Sequence, residues 1–89
     1  MINYQIKVKG NVQGVGYRYA AYQKANILGI KGTVENQEDG SVVINACAHP
    51  ETMKSFVNWC QVGPDAAKVE NVDTQEISNV DANEFRIVR

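Results

Sequence analysis

Residues 2–18, INYQIKVKGNVQGVGYR, change periodicity twice within a short length of chain. Ile2, Tyr4, Ile6 and Val8 alternate with Asn3, Gln5, Lys7 and Lys9. A period of two predicts a half-buried strand over 2–9. Gly10 to Gly16 is too glycine-rich for regular structure and reads as a loop. From Tyr17 the spacing becomes helical: Tyr17, Ala21, Ala25 and Leu28 share a face, and Gly29 stands where a helix is capped. A helix over about 17–28 follows.

The same rules carry outward. Residues 31–36 and 41–48 read as strands joined by Gln37-Glu38-Asp39-Gly40, and Asp-Gly is a strong hairpin signal. Pro50-Glu51 opens a second helix, with proline favoured in the first turn and the acid complementing the helix dipole. Met53, Phe56, Val57 and Cys60 form its core-facing stripe, and Gly63-Pro64 ends it. Lys68 to about Ile77 reads as a strand, in which the three-residue step from Val69 to Val72 predicts a bulge. Phe85 and Ile87 mark a short terminal strand. The order β-α-β-β-α-β plus a final strand is that of a ferredoxin-like α+β fold, an antiparallel sheet with two helices on one face. That architecture serves many functions, so it decides none of them.

Composition narrows the field. With 89 residues the chain reads as one domain, 1–89, hiding about 60–65% of the surface it exposes when unfolded. Apolar residues make up 44% and charged residues 21%, which suits a globular protein and is too apolar for a disordered one. Neither a membrane-length apolar run nor a signal-peptide pattern is visible, so the expected address is cytoplasmic, with no membrane partner. Nine Lys+Arg face ten Asp+Glu without a basic cluster, which speaks against a nucleic-acid partner. Cys47 and Cys60 form no CxxC pattern. Two free thiols are the expected state, with a disulfide as the alternative.

The chemistry concentrates in Gly10 to Arg18, GNVQGVGYR. Glycines let backbone N–H groups turn inward, and the first N–H groups of a helix are unpaired and partly positive. Together they can cradle an anion. Arg18 falls in the first helical turn, where a cation opposes the dipole at a cost of a few tenths of a kcal/mol. The placement makes sense if its planar fork holds phosphate oxygens. The loop lacks the Gly-Lys-Ser/Thr of a P-loop and the spacing of GxGxxG, and taken alone it is equally a structural turn. Asn36 precedes the Asp39-Gly40 turn. Its amide can donate to and accept from a water, but capping a turn is its commoner use.

These stretches resemble a known family. GNVQGVGYR at 10–18 is similar to the acylphosphatase signature G-x-V-Q-G-V-x-F/Y-R, and LGIKGTVENQEDGSV at 28–42 is similar to that family's second signature. The element order matches the family fold over nearly the whole chain. The departures are Thr33, where an aromatic is frequent, Val43, where Glu is common, and Ala48, where Gly is common. None is a catalytic position. The resemblance implies an enzyme, an acylphosphate phosphohydrolase that splits the carboxyl-phosphate bond into a carboxylate and inorganic phosphate. It implies Arg18 and the backbone of Gln13, Gly14, Val15, Gly16, Tyr17 and Arg18 as the phosphoryl-binding groups, and Asn36 as the residue orienting the attacking water. No cofactor, metal or phosphoenzyme is implied, and the expected partners are small-molecule acyl phosphates and the phosphate product, with the chain a monomer.

Other residues attract bland readings. His49, the single histidine, follows a strand and precedes Pro50, and with no partner motif it reads as an exposed loop residue. Tyr17, Tyr19 and Tyr22 read as core and helix-surface residues, because base-stacking aromatics in ferredoxin-like RNA binders sit on strands. Glu38 and Asp39 read as a solvated turn pair. The rival to the enzyme is a non-catalytic domain that binds an anion for a partner protein.

Overall fold

A computed structural model describes residues 1–89. β1 (Ile2–Asn11) is an inner strand of the sheet, and Ile6 and Val8, fully buried, face the helices as the alternation predicts. The strand runs two residues past the predicted end at Lys9, because Gly10 and Asn11 still pair, with Val69 and Lys68. The register shifts between Lys9 and Gly10, leaving Glu70 as the extra residue of the predicted bulge.

α1 (Tyr17–Leu28) follows the glycine loop and buries Tyr17, Ala21 and Ala25. Gly29 caps it in the left-handed conformation, its N–H reaching the Ala25 and Asn26 carbonyls. β2 (Lys31–Asn36) and β3 (Val42–Ala48) form the hairpin. α2 (Pro50–Val62) carries proline in its first turn and buries Met53, Phe56 and Cys60. β4 (Lys68–Glu76) and β5 (Phe85–Val88) complete the sheet, whose order is β4-β1-β3-β2-β5.

The pairs β1–β3, β1–β4 and β2–β3 are antiparallel, as a ferredoxin-like fold requires. β5 differs from its neighbours by running parallel to β2, with Gly32 opposite Phe85 and Val34 opposite Ile87, so the five-stranded sheet is mixed. That register puts Phe85 on the helix side, where it meets Phe56 edge-on at 6.2 Å between ring centroids. β3 alternates buried Val42, Ile44, Ala46 and Ala48 with half-buried Val43, Asn45 and Cys47. Cys47 therefore faces away from the helices while Cys60 is buried beneath one, and both thiols are free. No helix is long and apolar enough to cross a membrane.

Candidate active site

The loop between β1 and α1 is fixed at both ends. Gln13 clamps it to the hairpin: Nε2 donates to the Gln37 carbonyl at 2.7 Å and to the Ser41 carbonyl at 2.8 Å. At the helix end Tyr17 is buried, and its hydroxyl donates to the Cys60 carbonyl at 2.8 Å, tying the start of α1 to α2. Burial raises the Tyr17 pKa, and it pushes the Cys60 thiol up to about 12, so both stay neutral at ordinary pH. Gly14 and Gly16 have φ of 75° and 80°, left-handed values that cost a residue with a Cβ roughly 1–2 kcal/mol.

The loop's backbone donors are unspent. No N–H from Gln13 to Arg18 donates a hydrogen bond within the chain, and the helix has no side-chain N-cap and no acid in its first turn. The first intrahelical bond runs from the Ala20 N–H to the Gly16 carbonyl at 3.0 Å. Residues with free N–H groups, Gly14, Gly16, Tyr17 and Arg18, and with them the positive end of the dipole, therefore border a cavity.

Arg18 and Asn36 line one cavity there, of about 200 Å³, together with Gly14, Gly16 and Tyr17. Arg18 Nη1 donates to the Val88 carbonyl at 3.2 Å, so β5 steadies the guanidinium through a neutral acceptor. The chain's one ion pair lies elsewhere, Lys7 Nζ to Asp39 Oδ2 at 3.0 Å. Asn36 sits two residues beyond buried Val34, on the helix-facing side of β2. Its Oδ1 is buried and has no hydrogen-bond partner.

Not every loop residue predicted to bind phosphate presents its side chain. Gln13 is committed to the hairpin, and Val15 packs against the core. What those two positions offer is backbone. Three cavity residues had no sequence signal: Tyr19, Ile87 and Arg89. Ile87 and Arg89 reach the site only because β5 pairs with β2, and no local motif encodes that pairing. His49 is exposed at the N-cap of α2 and does not line the cavity. Thr33 lies between Asn45 and Arg86 in the sheet register, away from the cavity. No three His, Cys, Asp or Glu side chains cluster anywhere in the chain.

The sequence model of the acylphosphatase family matches residues 4–87. An acylphosphatase from Aliivibrio fischeri is 36% identical over 85 residues, covering 96% of this chain and 94% of that one. The crystal structure of an acylphosphatase from Bacillus subtilis superposes with a TM-score of 0.95 at 34% identity over the full length of both chains. An acylphosphatase from Coxiella burnetii gives 0.93 at 33% identity, covering 98% of this chain and 92% of that one.

Proposed function

Because the chain belongs to the acylphosphatase family, we propose that it hydrolyses acyl phosphates to a carboxylate and inorganic phosphate, with Arg18, the Gln13–Arg18 backbone and Asn36 as its working groups. The observation that carries the assignment of residues is the buried, unpartnered Oδ1 of Asn36 in the same cavity as the Arg18 guanidinium. An acceptor left without a donor costs about 1–3 kcal/mol unless something outside the chain supplies one. That atom is closed to solvent, so it meets a water only once the amide turns toward the cavity it lines, which places the water there.

In this mechanism the loop N–H groups and Arg18 hold the phosphoryl oxygens. The water oxygen bonds to phosphorus as the bond to the acyl oxygen breaks. The carboxylate leaves with the bonding electrons, and one water proton ends on a phosphate oxygen or in solvent. A carboxylate is already a good leaving group, so no protein acid is required to expel it. The transition state is loose and its charge is spread over the phosphoryl oxygens, so positioning and fixed positive dipoles supply the catalysis. Those roles belong to groups of the chain, and the mechanism assigns no step to a metal.

The test is hydrolysis of benzoyl phosphate by the purified protein with EDTA present. Turnover that survives the chelator and is lost in Arg18→Ala is the expected result. A folded protein that binds phosphate without turning over benzoyl phosphate would instead be an anion-binding domain.

A further inference from the structure

The cavity holds a second guanidinium that the mechanism above does not use. Arg89 lines it beside Tyr19 and Ile87. No aspartate or glutamate is among the lining residues, and neither arginine is in an ion pair. In a chain with more acidic than basic residues, two unpaired arginines converge on one hollow. Arg18 is spoken for by the phosphoryl group; Arg89 has no counterpart.

Burial orients the substrate. Val12 and Tyr17, each 1% exposed, form the floor, whereas Tyr19, 59% exposed, stands at the mouth with exposed Arg89. Attacking and leaving oxygens lie roughly in line in phosphoryl transfer. The floor is closed and an acyl chain, larger than a water, needs the open side, so the acyl group departs toward the mouth. Arg89 then sits beside the acyl chain rather than beneath the phosphoryl group.

We propose, resting on the acylphosphatase reading above, that Arg89 is a specificity residue that favours acyl phosphates whose acyl chain ends in a second carboxylate, the mono-acyl phosphates of dicarboxylic acids. Its planar fork matches a carboxylate bidentately, and a neutral acyl tail offers it nothing. Near the surface such a pairing is screened, so the preference is modest and falls with added salt.

Succinyl phosphate and butyryl phosphate have the same chain length and differ in a terminal carboxylate against a methyl. The wild-type protein is expected to show a kcat/KM ratio of about two- to fivefold in favour of succinyl phosphate at low ionic strength. The difference should reside mainly in KM and shrink at high salt. Arg89→Gln is expected to bring the ratio toward one, Arg89→Lys to retain part of it, and Arg89→Glu to invert it. An equal loss on both substrates in Arg89→Gln overturns the proposal and moves Arg89 onto the phosphoryl group. A wild-type ratio near one also overturns it, while leaving the hydrolase reading intact. Failure of the wild-type protein to hydrolyse either compound defeats both readings.

Discussion

A buried acceptor without a donor is a local liability, and Asn36 carries one at the end of β2. Replacing it with alanine removes that atom, so Asn36→Ala is expected to match or exceed the wild-type melting temperature. The same change is expected to lower kcat by about 10²–10³, the usual loss when one preorganised group at a reacting centre is removed. Arg18→Ala is expected to lose at least as much, because it takes away a charge that strengthens as the phosphoryl group develops charge. Measuring kcat and melting temperature on the same preparations separates a working group from a structural one. Turnover near wild type in either variant would remove that residue from the mechanism. Both positions stand out in the sequence because each lies inside a short stretch resembling a family signature, bound to one loop or turn. Arg89 was not, because a lone terminal arginine carries no pattern of its own.

β5 is the element on which the site leans most heavily for its size. It is four residues long, yet it buries Phe85 against Phe56 and brings the Val88 carbonyl to Arg18. Truncating a buried phenylalanine costs about 3–5 kcal/mol, a large share of the stability of a domain this small. Phe85→Ala is therefore expected to lower the urea midpoint sharply. Under conditions where the variant remains folded, kcat should fall as well, because Arg18 loses its fixed acceptor. Phe85→Leu should restore most of both. Full activity in folded Phe85→Ala would show that β5 braces the core and not the guanidinium. The strand itself was visible as Phe85 and Ile87, two apolar residues at period two. Its parallel pairing with β2 was not, since alternation tells which residues face the core and is silent about which strand lies alongside. The other elements were better specified: β1 and α1 by a change of period, the hairpin by Asp39-Gly40, and the bulge at Glu70 by the broken alternation of β4.

Across the whole molecule, pH acts on stability and catalysis through different groups. The Asp39 carboxyl is held well below the usual carboxylate range by the Ser41 hydroxyl, then the Ser41 N–H and Lys7 Nζ. A depressed pKa means that the folded state favours the ionised form, so this contribution is complete above the ordinary value of 3.8 and fades as pH falls below it. Asp39→Ala should therefore melt below wild type by a constant margin between pH 5 and 8, and the margin should close on acidification below about 4. A gap that persists to low pH would assign the effect to packing of the hairpin. Catalysis draws on none of this. No histidine, cysteine, aspartate or glutamate side chain lines the cavity. His49→Ala is accordingly expected to keep the wild-type pH profile of kcat/KM.

Sequence by itself determined the elements, their order, the inward faces and two short constellations around Arg18 and Asn36. Each of these is set by neighbours a few residues apart: periodicity, glycines at left-handed turns, helix caps and an Asp-Gly hairpin. Tertiary structure alone decided what meets across the chain. The Arg18 to Val88 contact spans 70 residues, the Gln13 clamp reaches 24 and 28, and Asn36 Oδ1 is orphaned only because strands and helix close around it. Such contacts follow from strand register and from the way two helices share one face of a sheet, and no local stretch of chain encodes either.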